Sequence, residues 1–355
     1  MKSNTIALDN VNRIDEIDIA KAVGIICVLI GHRTGGALHN YVYLFHMPLF
    51  FILSGLTMKC TTGGVHKLID VVRPDNKLLS SYIVYSTIFI AFDYIRNPDR
   101  LIINFASTGI LWGIHALWFL ASLWITKCAV RIIIGLNNRK IESILIGCIY
   151  ATCYWLSILL INTECNTNLL LLLKYIAMSW VRVGVVLPFV YIGYVFKDRI
   201  KMLISCLQEN LLGSIIMLLL STGILITGIR FNAVDYHLLQ NGVFILDIVY
   251  GCIGFILVVS LSVIICKYFR IIKMILLPIG KNSIHFMASE FFSGEVLVSL
   301  AISCVCGDFN NFRVVELSVY FAVLYVMMLI VAPVVNAMIS NLKGRIDGLF
   351  LLSRR

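Results

Sequence analysis

Charged residues are scarce in this chain of 355 residues: only 14 % are charged, whereas 60 % are apolar. Soluble domains average about 25 % charged and roughly 45–50 % apolar residues, so the composition excludes an ordinary soluble globular protein. The mean hydropathy of +0.93 indicates lipid as the solvent. No cleavable signal peptide is visible, because Asp15, Glu16 and Asp18 precede the first apolar run. We expect that run to act as an uncleaved signal.

Sequence motifs of several common redox, nucleotide-binding, nucleophilic and metal sites are also missing. The 11 cysteines form no Cys-x-x-Cys pair and mostly lie within apolar runs, which indicates reduced, buried thiols. No P-loop, dinucleotide fingerprint or serine nucleophile elbow occurs. Because no span carries a His-x-x-x-His or Glu-x-x-His pair, the sequence predicts no metal site.

The chain has an excess of positive charge, with a formal net charge of +10. An excess of basic over acidic residues can indicate nucleic acid or anionic lipid as a partner. Here the Lys and Arg residues lie in short gaps between apolar runs, as the positive-inside rule describes. We therefore expect membrane lipid and no nucleic acid as partners, and a polyanionic cytoplasmic ligand stays open.

The apolar runs predict an all-α helical bundle with about ten transmembrane helices, in a single domain of residues 1–355. Gaps rich in Lys and Arg alternate with poorer gaps, which predicts an N-in, C-in topology. Segment 162–180 is ambiguous, since 169–173 could begin an extra short span or lie at the interface. We expect one crossing here, because a second crossing would break the alternation of Lys- and Arg-rich gaps with poorer gaps. The predicted spans are 17–36, 42–59, 79–95, 115–135, 143–161, 176–196, 211–229, 243–266, 282–303 and 316–340.

The first span carries three ionisable side chains on one helical stripe. Lys21 and His32 are eleven residues apart, about three turns plus 20°, so they share a face about 16 Å apart along the axis. Asp18 lies three residues before Lys21 and can pair with it. Ionisable groups within a span are costly, so these three should face the bundle interior, a wet cavity or a ligand. A structural Asp18–Lys21 pair at the membrane border is the alternative.

Two further histidines fall near the same membrane face as His32. His46 begins the second span, and His115 begins the fourth, close to Trp118. Histidine is the usual general base near neutral pH, so it could deprotonate a hydroxyl that attacks an activated acyl group. It could equally carry protons in a transporter. The residue chemistry alone does not choose between these functions.

The ninth span opens on Gly-Lys-Asn-Ser at 280–283, where Asn282 or the next serine suits a helix N-cap. Glu290, eight residues on, would lie near the middle of the membrane and needs a partner, as does Asp247 in the preceding span. A proton-coupled transporter or exporter of a sugar or small metabolite would use His32 together with these two carboxylates. A structural partner in a glycan-assembly complex is a third interpretation.

The motifs together resemble the membrane acyltransferase-3 family. The resemblance rests on Arg13…Asp18-x-x-Lys21-x10-His32 and on Phe-His-Met-Pro-Leu-Phe-Phe-Ile-x-Ser-Gly at 45–55. Weaker matches follow in order at 117–120, 187–194 and 280–283. The Asp-Ile-Ala-Lys and Gly-His forms are similar to the fucose 4-O-acetylase-like branch. The family's ten-helix architecture agrees with the number of spans counted from hydropathy.

The resemblance implies an O-acetyltransferase of a bacterial inner (cytoplasmic) membrane. Such an enzyme moves an acetyl group from acetyl-CoA to a hydroxyl of a cell-surface or exported glycan, or of its lipid-linked precursor. The family's Arg/Lys-x10-His motif falls on Lys21 and His32. His32 is then the implied general base, and Lys21, where many members carry Arg, is an implied donor-binding residue together with Arg13.

Other site residues follow from the same comparison. We expect supporting or substrate-binding roles for Asp18, His46, His115, Trp118, Asn282 and Glu290. Relatives often place a histidine where this chain has Glu290, so the role of that position is open. Acetyl-CoA is a co-substrate, and no metal is implied. Direct transfer and a covalent acetyl-enzyme both stay open, as does assembly into a homodimer.

Overall fold

The computed structural model describes residues 14–59, 68–232, 234–291 and 313–352. Within these residues the chain forms fifteen α-helices, joined by turns and three short 3₁₀ segments. Asp235 and Gln240 make an isolated antiparallel bridge, and no β-strand occurs in the described part. The predicted all-α class is confirmed. Arg13 lies outside the described residues.

The helices are numbered in chain order. They are α1 (Asp15–Arg33), α2 (Gly36–Tyr43), α3 (His46–Leu56), α4 (Leu68–Val72), α5 (Asn76–Arg96), α6 (Leu101–Gly109), α7 (Trp118–Ile134), α8 (Arg139–Asn162), α9 (Asn168–Val195), α10 (Lys197–Glu209), α11 (Leu211–Phe231), α12 (Phe244–Tyr268), α13 (Arg270–Lys281), α14 (Ser283–Phe291) and α15 (Arg313–Leu352).

Six helical segments of the described chain are long and apolar enough to cross a membrane. They are Ile69–Arg96, His115–Ile134, Arg139–Asn162, Asn168–Val195, Leu211–Arg230 and Phe244–Tyr268. Large apolar side chains on α8 and α11 point outward: Ile144 is 66 % exposed and Leu219 is 64 % exposed. Such surfaces are stable against lipid rather than water, so the chain is a membrane protein. The total of ten spans and the N-in, C-in orientation stay predictions.

The second predicted span, 42–59, is not one continuous helix. It is divided between α2 and α3, with a break at Leu44 and Phe45. Helix α3 has 11 residues, about 16 Å, which is too short to cross a bilayer alone. All of its residues except Ser54 are buried. Its apolar sequence therefore reflects burial among other helices and not exposure to lipid.

The ambiguous segment 162–180 forms a single helix with the span that follows it. Helix α9 begins at Asn168 and runs for 28 residues. The Thr167 hydroxyl accepts a hydrogen bond from the Leu170 N–H at 3.3 Å and caps the helix. The apolar run 169–173 is thus the first turn and a half of α9, in agreement with one crossing at this point.

Helix α3 lies at the centre of the bundle, where it packs against α1, α9 and α12. Its contact with α9 is close because two glycines face the opposite backbone. A Cβ atom on Gly55 would lie 2.0 Å from the Val190 carbonyl oxygen. A Cβ atom on Gly193 would lie 2.0 Å from the Ile52 carbonyl oxygen. Small residues of this kind let membrane helices approach at backbone distance.

We predict that Gly193→Ala separates α3 from α9 and destabilises the protein. The new methyl group would meet a backbone oxygen that cannot rotate away, and overpacking of this kind costs about 1–3 kcal/mol. Thermal unfolding of the detergent-solubilised protein measures the effect. The matched control is Gly223→Ala on α11, since a Cβ there meets nothing within 4 Å. The control should be neutral or slightly stabilising. Equal melting temperatures for the two variants would contradict the close-packing interpretation.

Candidate active site

Four histidines line one cavity of about 350 Å³, here called the histidine cavity. His32 comes from the last turn of α1, and His46 is the first residue of α3. His115 opens the 3₁₀ turn before α7, and His237 lies in the loop between α11 and α12. Trp118 also lines the cavity. The structure thus brings together the three histidines and the tryptophan that the sequence singled out.

His46 has a defined hydrogen-bond partner. Its Nδ1 lies 2.9 Å from the Val42 carbonyl oxygen. Because a carbonyl only accepts, Nδ1 is protonated and donates this hydrogen bond. The ring is buried and packs against Tyr43, with 4.7 Å between ring centroids. His46 is therefore a fixed, oriented wall of the cavity.

His115 lies beside a buried carboxylate. Its Nε2 is 4.0 Å from Asp93 Oδ2 on α5, and the same oxygen accepts a hydrogen bond from Asn104 Nδ2 on α6 at 2.8 Å. The backbone of His115 has φ +49°, in the left-handed region that is uncommon for a residue with a side chain. These features set the position and orientation of its ring at the cavity wall.

The sequence reasoning missed Asp235 and His237, which close the histidine cavity from the loop between α11 and α12. The His237 ring stacks on Trp118, with centroids 5.5 Å apart and an interplanar angle of 21°. Its backbone N–H donates to Asp235 Oδ1 at 2.9 Å. A signal was available, because the predicted topology puts this loop on the same membrane face as His32.

Arg182 on α9 holds that loop in place, and sequence reasoning missed it as well. It is fully buried, and its Nη2 donates to the His237 carbonyl at 2.7 Å. The guanidinium lies over the rings of Trp112 and Trp118, 4.2 Å and 5.0 Å from their centroids. Burial, and then the charge of Arg182, lower the pKa of His237 to about 4. His237 is therefore neutral at physiological pH.

A second cavity, of about 300 Å³, is lined by Lys21, Lys77 and Lys127; we call it the lysine cavity. Asp75 is the carboxylate on its described wall, and Lys127 Nζ binds Asp75 Oδ1 at 2.6 Å. Lys21 Nζ lies 3.2 Å from Oδ1 of the buried Asp18. Three ammonium groups against two carboxylates, Asp75 on the wall and Asp18 behind Lys21, leave a net positive charge here.

A buried arginine holds Asp75 in place on the wall of the lysine cavity. Arg131 on α7 forms an ion pair with Asp75 through Nη2, and its Nη1 donates to the Val71 carbonyl at 2.9 Å. Its Nε donates to the Lys59 carbonyl at 3.4 Å. One guanidinium therefore ties α7 to two other backbone segments and to the carboxylate that Lys127 binds.

Helix α1 runs between the two cavities, with Lys21 on the wall of one and His32 on the wall of the other. The end of α13 packs directly on this helix. A Cβ atom on Gly280 would lie 1.7 Å from the Asp18 carbonyl oxygen, so only glycine permits the contact. The glycine of the Gly-Lys-Asn-Ser segment thus sets the position of α1 at Asp18.

Other predicted residues lie away from the cavity walls. Asn282 precedes α14, as expected of an N-cap, but its side chain donates back to the Pro278 carbonyl at 3.0 Å. Asp247 Oδ2 accepts from the Gly242 N–H at 3.1 Å, in the loop that leads into α12. Neither Asn282 nor Asp247 lines a described cavity wall. Glu290 belongs to α14, and its side chain lies outside the described residues.

The donor groups do not form a metal centre in the described part of the chain, where no group of three or more His, Cys, Asp or Glu side chains could hold an ion. What the arrangement offers is imidazole in one cavity and ammonium groups in the other. Neutral imidazole can accept a proton, and ammonium groups can bind phosphate oxygens.

Comparison with known families agrees with this geometry. A family model described as an acyltransferase domain, of the acyltransferase-3 type, matches residues 14–335. Neither the curated proteins nor the solved structures give a match to the chain. The family match covers most of the sequence, including both cavities and the whole of α1. The chain therefore belongs to the acyltransferase-3 family and is a membrane acyltransferase.

Proposed function

We propose that this acyltransferase transfers an acetyl group from acetyl-CoA to a hydroxyl of a cell-surface or exported glycan or its lipid-linked precursor. In this proposal it belongs to the fucose 4-O-acetylase-like branch and acts in a bacterial cytoplasmic membrane. The observation that carries the proposal is the position of α1. This one helix places Lys21 in a cationic cavity and His32 in a cavity of histidines.

The lysine cavity suits the donor. Coenzyme A carries phosphate groups, and ammonium groups bind phosphate as point charges. Lys21, Lys77 and Lys127 supply three such groups at one wall. In the topology predicted from the positive loops, this end of α1 faces the cytoplasm, where acyl-CoA donors are found. Acetyl-CoA would then reach the enzyme without crossing the membrane.

The histidine cavity suits the acceptor. Trp118 offers an aromatic surface, and Asp235 offers a carboxylate that accepts hydrogen bonds from hydroxyl groups. In the described wall of this cavity there is no Lys or Arg side chain. A hydroxyl-rich sugar has both the apolar faces and the hydrogen-bond donors that such a cavity binds.

His32 is the proposed general base. Its imidazole takes the proton of the acceptor hydroxyl while the oxygen attacks the thioester carbonyl carbon. The carbon–sulfur bond then breaks, and the imidazolium returns the proton to the departing thiolate. The products are an acetyl ester and free coenzyme A. Transfer by way of an acetyl-enzyme would use the same base for each of two such steps.

We predict that His32→Ala lowers the rate of acetyl transfer by about 10²–10⁴-fold, the usual contribution of a general base. The measurement is acetyl transfer by purified protein in lipid nanodiscs, from labelled acetyl-CoA to a glycan acceptor. Binding of the donor should be unchanged, because His32 lies in the other cavity. The matched control is His39→Ala on α2. The His39 ring is hydrogen-bonded through Nδ1 to the Gly31 carbonyl at 2.8 Å and lines neither cavity.

Acetyl transfer by His32→Ala at a rate near that of the wild type would refute the role of this base. Substrate flux across sealed vesicles without acetylated product, and without dependence on acetyl-CoA, would instead support a transporter. The structure offers little support for a proton-coupled transporter. Asp247, one of its two expected carboxylates, bonds the backbone of its own loop and lines neither cavity in the described walls.

We predict that Lys77→Met raises the KM for acetyl-CoA about threefold to tenfold, with a smaller effect on kcat. Lys77 is exposed, so the loss of its charge should weaken phosphate binding through an interaction that salt screens. The effect should shrink at high salt and with a donor that lacks the 3′-phosphate. The matched control is Lys140→Met at the start of α8, an exposed lysine outside the lysine cavity. Equal KM values for both variants would contradict donor binding at this wall.

A further inference from the structure

The two cavities are separated by very little protein. Among the described residues, Phe119 and Met287 are the side chains that line both the histidine cavity and the lysine cavity. Both are buried, at 4 % and 5 % exposure. Phe119 is the second residue of α7, and Met287 lies within α14. We call these two side chains the partition.

The halves of the partition differ in how firmly they are held. The Phe119 ring makes edge contacts with Phe50 and Phe51, at centroid distances of 5.8 Å and 5.1 Å. Such aromatic contacts fix the plane of a ring. Met287 has an unbranched side chain with three rotatable bonds and adapts its shape readily. The partition therefore has a fixed half, Phe119, and a movable half, Met287.

The partition lies where the reaction has to cross. If the proposed function holds, the phosphates of the donor bind near Lys21 and its thioester must come within reach of His32. Lys21 and His32 are about 16 Å apart along α1, so the acyl end of the donor must pass between the cavities. Both side chains at the crossing are apolar, which suits a thioester with a short acyl chain. An apolar partition also keeps water away from the thioester until the acceptor is bound.

We propose that Met287 is the gate between the two cavities, and that the space it leaves beside Phe119 limits transfer to short acyl chains. The proposal rests on the proposed function and adds a residue that determines donor specificity. Removing the methionine side chain opens room for several carbon atoms. A wider passage accepts longer acyl groups and admits water when no acceptor is present.

The test compares donors of different length in full-length protein reconstituted in nanodiscs. For Met287→Ala, the ratio of butyryl to acetyl transfer should rise about tenfold or more, within the range by which apolar pockets discriminate single methylenes. Hydrolysis of acetyl-CoA without acceptor should also rise. Met287→Val opens the passage less, and should shift the ratio in the same direction by a smaller factor.

Two further variants sharpen the test. Met178→Ala is the matched control, because Met178 is similarly buried and lines neither cavity; its acyl preference should stay that of the wild type. Met287→Trp should abolish transfer while coenzyme A still binds, as measured by calorimetry. An unchanged acyl preference in active Met287→Ala or Met287→Val protein would overturn this inference alone. Wild-type protein that transfers no acyl group from any acyl-CoA would overturn the proposed function, and the inference with it.

Discussion

The arrangement of both cavities depends on the pairing of buried charges in an apolar bundle. An ionised side chain away from water is costly unless opposite charges or hydrogen bonds compensate it. Asp75 is compensated by Lys127 and Arg131, and Arg182 by two carbonyls and two tryptophan rings. Each cluster joins segments that are distant in sequence. The compensation that makes these charges tolerable therefore also positions the walls of the site.

The two clusters produce cavities of different chemical character. Around Asp75, cations outnumber the carboxylate, and the lysine cavity keeps a net positive wall. Around Arg182, the guanidinium is covered by aromatic rings, and what reaches the histidine cavity is neutral His237 and the carboxylate of Asp235. The proposed phosphate-bearing donor and the proposed hydroxyl-bearing acceptor would need these different environments. A thin apolar partition keeps them distinct while leaving a short path between them.

The features of the fold and site that could be predicted from sequence are those with a local sequence pattern, whereas contacts between distant residues could not be predicted. The shared stripe of Lys21 and His32 follows from helical periodicity, and long helices such as α8 and α12 follow from hydropathy. The break between α2 and α3 was not predicted, because burial in protein and burial in lipid select the same apolar residues. The contact of Arg182 with Trp112 joins residues 70 positions apart, and no local pattern indicates it. His237 could have been included from its predicted membrane face.

The family motif that the sequence resembles implies arginine or lysine at position 21, and this chain has lysine there. A guanidinium is favoured where a planar fork must bind two oxygens at once. Here Lys21 bonds one oxygen of Asp18 at 3.2 Å, and it shares the cavity wall with Lys77 and Lys127. In the proposed donor site the positive charge is spread over three lysine side chains, so a point charge would be enough at this position. What α1 has to provide is the register that puts a cation and an imidazole on one face, eleven residues apart.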